Sequence, residues 1–384
     1  MHHGHRGKRH RERHEFAVER KVEFKVHPRG KYDHRQVVFR RPMFIGDFSL
    51  DDNRQFCHDK RNLSYIPINF ESTKEVEYDL NVGLDKVVRK DYEVLKKDKL
   101  SQLLNWLLVN KHKFHNRENA DKPLQSLSTD FICFRGLLRD ILCIPYENKD
   151  RIIICATKFR GTIYMWSYET PEKKADREAQ TEEQLKMCSW GYKFEQYMTE
   201  GSDTTEGVNE NSEYSCVLRS RLEKHSLVYS AEVDGVDPEK YEEPPVDLRA
   251  FIELKTNKIL KEERDVRSLH RFKLMKWWSQ SYLVGIPTVV CGFRDSNGVV
   301  QSLKTFRVEE MPSLGQAHWK SNIMVNFLDA FLTFVKQQVI VDDPTVVYKF
   351  ERLTVGGDIT CRYLGKDPDR AILPEWYYKE MFKP

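Results

Sequence analysis

The chain has 384 residues, of which 40% are hydrophobic and 12% aromatic, enough for a substantial core in one large domain or two ordinary ones. Its formal net charge of +4 excludes a globally basic nucleic-acid binder, so any basic surface must be local. We find no signal-peptide pattern and no apolar run of about 18 residues, which predicts a soluble, non-secreted protein without a membrane segment. The 8 cysteines include no Cys-x-x-Cys pair, which disfavours a zinc knuckle, and several lie in apolar runs, as is typical of reduced intracellular thiols.

Residues 1–20 are rich in His, Arg and Lys and predict a disordered basic tail. Such a tail favours a nuclear location, with the cytoplasm as an alternative, and it would contact RNA, direct nuclear import or have no specific role. From residue 21 to residue 384 the strand and helix patterns interleave without a boundary. This predicts a single α+β domain, with mixed β-sheets and packed helices.

Residues 41–51 predict an ordered segment in which Ser49 or Asp51 caps a helix that runs through Arg54. Apolar periodicity predicts helices over residues 92–109, 182–199, 266–283 and 322–337. Strands are predicted over residues 131–134, 152–156, 162–166, 288–293 and 299–308, and strands with an aromatic segment end the chain. Two charged or polar stretches, 171–181 and 200–213, are predicted to be flexible loops.

Two of these helices carry polar residues on the face that should point to the core. Glu195 interrupts the apolar stripe of the helix at 182–199, and Gln280 and Lys276 interrupt that of the helix at 266–283. A buried carboxylate without a partner is costly, so Glu195 must meet either an arginine at the helix edge or another charged group.

The most informative stretch is 226–256, where two short acidic strands flank a proline-rich connection. Side chains alternate between the faces of a strand, so Glu232 and Asp234 share one face of the first strand, and Glu253 and Lys255 share one face of the second. If the two strands pair, three carboxylates and one ammonium group converge. Oxygen ligands without clustered His or Cys favour Mg²⁺ or Mn²⁺ over zinc, and the lysine would polarise a phosphate or help to deprotonate a water. The alternative is a surface hairpin with ordinary alternating charges.

An acidic strand followed by Glu-x-Lys on a neighbouring strand is the pattern of PD-(D/E)xK hydrolases of phosphodiesters. From Arg41 to Tyr378 the chain also resembles the DXO family of RNA 5′-end decapping and exonuclease enzymes. Five motifs carry the resemblance, namely Phe-Arg-Gly with Arg135, Gly-Tyr-Lys-Phe-Glu with Glu195, Glu-Val-Asp with Glu232 and Asp234, Glu-Leu-Lys with Glu253 and Lys255, and Lys-Trp-Trp-Ser-Gln with Gln280.

The resemblance implies a role for each motif residue. Glu195, Glu232, Asp234, Glu253 and the carbonyl group of Leu254 would hold one or two Mg²⁺ or Mn²⁺ ions. Lys255 and Gln280 would contact the scissile phosphate or the attacking water, so that the catalytic residues are Lys255, Gln280, Glu232, Asp234 and Glu253. Substrate contacts are implied for Glu232, Lys255 and Gln280 and also for Arg54, Asp98, Phe134, Arg135, Gly136 and Ser215. Asp98 and Ser215 stand where relatives carry other residues.

The implied fold is a mixed-sheet α+β body around a PD-(D/E)xK-like nuclease core, so that residues 21–384 would form one decapping-nuclease domain. The implied activities on RNA 5′ ends are the removal of incomplete caps and NAD caps, pyrophosphate release from triphosphate ends, and 5′→3′ exonucleolysis. A nuclear 5′→3′ exoribonuclease is an implied partner. Two alternatives remain open, a non-catalytic RNA 5′-end binder that partners an exoribonuclease, and a metal-dependent DNA nuclease.

Overall fold

The computed structural model describes residues 22–26, 28–115, 124–149, 151–242 and 246–383, so the predicted basic tail lies outside the described residues. Within these ranges the chain forms fifteen strands and ten α-helices. The strands are β1 (Val22–Phe24), β2 (Met43–Leu50), β3 (Phe56–Cys57), β4 (Thr73–Asp79), β5 (Phe131–Phe134), β6 (Ile152–Phe159), β7 (Thr162–Tyr168), β8 (Glu213–Leu222), β9 (His225–Glu232), β10 (Gly235–Val236), β11 (Phe251–Lys258), β12 (Thr288–Arg294), β13 (Val299–Arg307), β14 (Val346–Arg352) and β15 (Ile359–Lys366). The helices are α1 (Tyr92–Asp98), α2 (Ser101–Val109), α3 (Arg135–Cys143), α4 (Pro171–Glu178), α5 (Glu182–Met198), α6 (Glu263–Ser268), α7 (Leu274–Tyr282), α8 (Met311–Gly315), α9 (Ser321–Gln338) and α10 (Glu375–Glu380).

The strands form two mixed sheets, as the α+β prediction requires. The large sheet has ten strands in the order β1-β15-β14-β6-β7-β5-β9-β8-β2-β3, and the small sheet has five in the order β10-β11-β12-β13-β4. In the large sheet β5 runs parallel to both β7 and β9, and in the small sheet β11 runs parallel to β12. The chain leaves the large sheet at the end of β9 and joins the small sheet at β10, only two residues later.

Successive side chains along a strand of the large sheet pack alternately into two different cores. Phe131 and Cys133 of β5 lie in the core that also contains α3, α7 and α9, whereas Ile132 between them lies in the core that contains α2 and α10. This is the period of two that a strand buried on both faces imposes. A third core packs α5 against β11, β12 and β13 of the small sheet.

Three predicted segments differ from the structure. The helix predicted to start at Ser49 or Asp51 does not form, and strand β2 occupies residues 43–50. After the strand, Asp51 Oδ1 accepts hydrogen bonds from the backbone N–H groups of Asn53 and Gln55, and these bonds close a turn in place of a helix cap. The helix predicted over 92–109 is divided into α1 and α2 by Lys99, whose φ is +46°.

The stretch predicted as a flexible loop at 171–181 contains helix α4. The Thr170 hydroxyl accepts a hydrogen bond from the Lys173 N–H at 3.3 Å, and Pro171 occupies the first helical position, so both start signals of a helix are present. The charged composition reflects exposure of this helix on all sides rather than the absence of structure.

Within the described ranges no helix is long and apolar enough to cross a membrane. All eight cysteines are free thiols, and six of them are buried, as their apolar sequence context predicts.

Candidate active site

The acid-rich motifs meet at the junction of the two sheets. Glu232 is the last residue of β9, and Asp234 lies in the short link to β10. The following strand β10 pairs antiparallel with β11, with Gly235 opposite Ile252, and this places the Asp234 carboxylate where its Oδ2 accepts a hydrogen bond of 2.6 Å from the Leu254 N–H. The direct pairing of the two acidic strands, which the sequence argument took as its condition, does not occur, because β9 and β11 belong to different sheets. The carboxylates converge because the chain crosses between the sheets at this point.

A glycine is required immediately after the second acid. A Cβ atom on Gly235 would lie 2.6 Å from the Ser64 carbonyl oxygen and 2.5 Å from the Ile66 side chain, closer than any side chain allows. The absence of a side chain lets β10 pack closely against Ser64 and Ile66, directly after Asp234.

Glu253 and Lys255 share one face of β11, as the sequence predicts. Glu253 is completely buried, and its Oε1 accepts hydrogen bonds from Lys255 Nζ and from Gln280 Nε2, the latter at 2.5 Å. Lys255 Nζ also lies 3.8 Å from Asp234 Oδ2. Among the described residues no group forms a hydrogen bond with Glu253 Oε2. Gln280 interrupts the apolar stripe of its helix because it faces this carboxylate.

Glu195 reaches the same place from helix α5, whose start is fixed by a reciprocal capping box between Thr181 and Gln184. The charged groups that act on Glu195 are Asp234, Glu232, Lys255 and Glu253, and the arginine considered as its partner is not among them. Burial raises the pKa of Glu195 well above its usual range, and the nearby carboxylates of Asp234 and Glu232 raise it further.

The same repulsion acts on the other acids. Burial, followed by the Glu253 charge, raises the pKa of Asp234 to about 7. Burial within the cleft and the charge of Glu213 raise the pKa of Glu232, although 46% of its side chain is exposed to the cleft. We call Glu195, Glu232, Asp234 and Glu253 the acid cluster. Its members repel one another in the absence of a cation.

Lys255 stays positively charged in this setting. Burial alone would lower its pKa, but the carboxylates of Glu253 and Asp234 outweigh burial and raise it. A lysine held in its charged form donates hydrogen bonds to a phosphate oxygen and stabilises its negative charge, and it cannot act as a general base. The structure therefore favours the first of the two roles predicted from the sequence.

The acid cluster suits a hard divalent cation. It offers only carboxylate oxygens and the nearby backbone of Leu254, and the unbonded Glu253 Oε2 together with the raised pKa values shows that negative charge is not fully compensated there. Within the described ranges no three His, Cys, Asp or Glu side chains already stand in metal-binding geometry. Lys255 and Gln280 hold Glu253 Oε1, so metal binding requires side-chain adjustments there.

The Phe-Arg-Gly motif forms one wall of the site. Arg135 begins helix α3, is 7% exposed, and donates a hydrogen bond of 2.7 Å from Nη2 to the Glu232 carbonyl oxygen. Among the described residues its Nη1 has no hydrogen-bond partner and is buried, so this part of the positive charge lies beneath the surface of the site. A Cβ atom on Gly136 would meet nothing within 4 Å, so the backbone here faces open space.

The remaining predicted contacts lie around the same cleft. Ser215 stands opposite Glu232 in the β8–β9 pair. Arg54 Nη1 binds Glu213 Oε1 at 2.9 Å, and its Nε lies 3.7 Å from Asp98 Oδ2. Ser215 and Arg135 thus adjoin Glu232 of the acid cluster, whereas Arg54 and Asp98 line a neighbouring cavity, where Arg54 is held by two carboxylates.

Two charged residues were missed by the sequence analysis. Glu213 was assigned to a flexible loop, and Lys90 was not singled out, yet Lys90 Nζ binds Glu213 Oε1 and lies 4.0 Å from Glu232 Oε1. No local motif marks either residue, because the two are more than a hundred positions apart in the chain.

A cavity of about 490 Å³ opens beside Arg54. Its wall combines aromatic rings with charged side chains, and the ring centroids of Phe134 and Trp166 lie 5.8 Å apart in an edge-to-face contact. Among the described residues, Gln102 Oε1 and the Tyr168 hydroxyl are buried in this region without hydrogen-bond partners. We call it the aromatic pocket, and the aromatic residues that line it are Tyr92, Phe134, Trp166 and Tyr168.

An acidic link, a Glu-x-Lys strand and a glutamate on a packed helix, all at the edge of a mixed sheet, define a nuclease of the PD-(D/E)xK class. Comparison with known families agrees, since the family described as "RAI1 like PD-(D/E)XK nuclease" matches residues 40–378. The chain belongs to this RAI1-like nuclease family.

Similar proteins are found both by sequence and by fold. The "Decapping and exoribonuclease protein" of Rattus norvegicus is 38% identical over 356 residues, which cover 89% of this chain and 86% of the rat protein. The structure of Candida albicans Rai1 in complex with pU5-Mn²⁺ has a TM-score of 0.79 at 20% identity and covers 94% of this chain and 98% of its own. The structure of Scheffersomyces stipitis Rai1 in complex with (3′-NADP)⁺ and calcium ion has a TM-score of 0.79 at 22% identity, with 94% and 99% covered.

Proposed function

We propose that this chain is a metal-dependent hydrolase of RNA 5′ ends, a decapping nuclease that removes incomplete or NAD-type caps and releases pyrophosphate from triphosphate ends. The observation that carries the proposal is the convergence of all seven motif residues at one junction, with the acids repelling one another and Lys255 held charged beside them. The relatives named as decapping and exoribonuclease proteins support the choice of substrate. Exonucleolytic action, a nuclear location and a nuclear exoribonuclease partner stay predictions.

The acid cluster and the Leu254 carbonyl group would hold one or two Mg²⁺ or Mn²⁺ ions. A bound divalent ion supplies an activated water and neutralises charge on the leaving oxygen. The chain's own contribution is to hold the carboxylates in place, through the Leu254 N–H to Asp234 and through Lys255 and Gln280 to Glu253. These contacts hold the site in position before the substrate arrives.

Lys255 and Gln280 would orient the reacting groups. Lys255 keeps its positive charge and so stabilises negative charge on the non-bridging oxygens of the scissile phosphate. The Gln280 amide is positioned by Glu253 to bind the attacking water or a phosphate oxygen. Arg135 holds the Glu232 backbone in place through Nη2, and its positive charge lies beside the site where the RNA backbone would bind.

The test is product analysis on one RNA body with four different 5′ ends, a monophosphate, a triphosphate, an unmethylated guanosine cap and an NAD cap. Each is incubated with Mg²⁺, with Mn²⁺ and with a chelator, using the wild type and the Asp234→Ala/Glu253→Ala variant. We expect metal-dependent release of a 5′ group, and a rate at least about 10²-fold lower in the variant. Progressive shortening of the monophosphate RNA would add exonuclease activity.

Two outcomes would contradict the proposal. If all four RNAs bind but remain intact, the chain is an RNA 5′-end binder whose acid cluster is inert. If single-stranded DNA is cleaved as fast as RNA, the chain is a DNA nuclease on the same core. A wild type whose melting temperature does not change with millimolar metal would favour the inert site, since a ligand that binds only the native state raises its stability.

A further inference from the structure

Four charged residues stand between the acid cluster and the aromatic pocket, and we call them the throat: Arg54, Lys90, Asp98 and Glu213. One atom, Glu213 Oε1, accepts hydrogen bonds from both cations, from Arg54 Nη1 at 2.9 Å and from Lys90 Nζ. The three side chains that meet at this atom are only 11–13% exposed. A buried carboxylate that binds two cations is held in place by the surrounding fold, unlike a carboxylate in an exposed surface ion pair.

Three separate segments build the throat. Glu213 is the first residue of β8 and stands opposite Leu50 of β2. Arg54 lies in the turn after β2 with a φ of +59°, a conformation that a non-glycine residue rarely adopts. Lys90 lies just before helix α1, and its N–H group donates to Glu210 Oε2 at 3.3 Å. The fold therefore holds both cations against Glu213 from independent directions.

The throat touches both of the regions that it separates. On one side, Lys90 Nζ lies 4.0 Å from Glu232 Oε1 of the acid cluster and 5.2 Å from the centre of the Tyr192 ring. On the other side, Arg54 and Asp98 line the aromatic pocket together with Phe134. A 5′ group that passes from the reacting phosphate into the aromatic pocket must pass these charges.

The formal charges of the throat cancel, with two cations against two carboxylates. Arg54 is bound by Glu213 and lies 3.7 Å from Asp98, so little of its charge is left for a ligand. A terminal triphosphate carries more negative charge than the pyrophosphate bridge of an NAD cap. It would bring that charge to a place where both cations are already paired, so Glu213 would repel it more strongly.

A nucleoside suits the same route much better. The aromatic pocket offers rings for stacking a base, among them those of Phe134 and Trp166 in its wall. We propose that Glu213 determines the specificity of this site by neutralising Arg54 and Lys90, so that ends carrying a nucleoside cap are preferred over triphosphate ends. This inference rests on the proposed function of the same site.

The experiment compares a short RNA carrying a triphosphate with the same RNA carrying an NAD cap. In the Glu213→Gln variant the carboxylate charge is lost and both cations become available. We expect the ratio of kcat/KM for the triphosphate RNA to that for the NAD-capped RNA to rise about 10-fold, or about 1.4 kcal/mol, chiefly through a lower KM for the triphosphate. The Glu213→Asp variant keeps the charge and should stay close to the wild-type ratio.

Glu206→Gln is the matched control, because Glu206 pairs with Lys86 at 3.2 Å on the exposed surface. It should leave the ratio unchanged. Should Glu213→Gln fail to fold, Asp98→Asn releases Arg54 from its second carboxylate, and we expect the ratio to move in the same direction. A ratio that stays constant in a folded variant, or equal losses on both RNAs, would overturn the inference.

A binding assay separates failure of this inference from failure of the proposed function. Fluorescence anisotropy of both RNAs in chelator measures their relative affinity without any hydrolysis. If the wild type hydrolyses neither RNA but Glu213→Gln shifts relative affinity towards the triphosphate, the proposed activity is wrong and the specificity role stands. If both RNAs are hydrolysed and neither measured ratio changes, the activity stands and the specificity role is wrong.

Discussion

The acid cluster and the throat are neighbouring groups of buried charge in one cleft, and they are built in opposite ways. In the acid cluster, burial and mutual repulsion raise the pKa of three carboxyl groups. In the throat, burial alone would raise the pKa of Glu213, but the positive charges of Lys90 and Arg54 outweigh it and lower the pKa. The two regions are joined where Lys90 lies 4.0 Å from Glu232.

The difference shows which region the protein completes by itself. The throat contains its own cations and is electrically balanced, so it is a fixed structural element that a substrate must accommodate. The acid cluster has Lys255 for four carboxylates, with Lys90 at its edge, and is stable as an ionised group only when a further cation binds. Removing a carboxylate from the throat should therefore lower the stability of the protein, whereas removing one from the acid cluster in the absence of metal should not.

The largest effect that we expect is on activity, from Glu195→Gln. This change removes one oxygen ligand with little change in volume, and the rate of RNA hydrolysis should fall by about 10²- to 10³-fold. In chelator the variant should be at least as stable as the wild type, because burial and the neighbouring Asp234 and Glu232 already disfavour the charged form of Glu195. Steady-state rates in Mn²⁺ and urea unfolding in chelator measure the two effects.

If Glu195→Gln unfolded in chelator at a clearly lower urea concentration than the wild type, the acid cluster and the throat would not differ in the way described. Such a result would mean that the negative charge of Glu195 is stabilised by the protein, as that of Glu213 is. Full retention of activity would remove Glu195 from the metal-binding set.

A large effect on stability is expected from Glu213→Ala. It leaves Arg54 and Lys90 partly buried without their shared acceptor, which should lower the free energy of unfolding by about 3 kcal/mol. The matched change Glu206→Ala breaks an exposed pair with Lys86 and should cost no more than about 0.5 kcal/mol. Equal values for the two variants in urea unfolding would show that the throat is not a buried network.

The sequence predicted the acid cluster well because its signals are local. Glu232 and Asp234 are two residues apart, as are Glu253 and Lys255, and Glu195 and Gln280 stand out as polar residues in apolar helical stripes. What the sequence did not predict is how they meet, since the crossover between two sheets at Asp234 depends on strand order. The sequence argument assumed direct pairing of the acidic strands as a condition, and the carboxylates converge without it.

The throat was not predicted as a unit: the resemblance implied Arg54 and Asp98 as substrate contacts, but nothing local marks Lys90 or Glu213. Arg54, Lys90 and Glu213 come from three segments, and each by itself looks like an ordinary surface charge. For the same reason α4 was predicted as a loop, since its charged composition hid the capping residues Thr170 and Pro171. The break between α1 and α2 at Lys99 could not be predicted either, because a positive φ at a lysine is fixed by the surrounding fold.

The most gradual effect that we expect is the pH dependence of stability, and Asp234 is the carboxyl group through which we would measure it. In the folded protein the pKa of Asp234 is raised to about 7 from a usual value of 3.8. Between these values the folded protein therefore keeps a proton that the unfolded chain releases. Its contribution to stability is complete below about pH 4 and is lost as the pH rises towards about 7, by at most about 1.4 kcal/mol per pH unit.

Other carboxyl groups with lowered pKa values, Glu213 among them, change in the opposite direction, so the informative quantity is a difference. The free energy of unfolding of Asp234→Asn minus that of the wild type, measured in chelator from pH 4.5 to pH 8, should increase with pH. Added Mn²⁺ should stabilise the wild type more at the upper end of this range, because metal binding displaces the same proton, and it should have little effect on the variant. A difference that does not change with pH would mean that Asp234 is ionised in the folded protein at all these values. The acid cluster would then be balanced by its own lysines, as the throat is, and would not need a metal ion for that purpose.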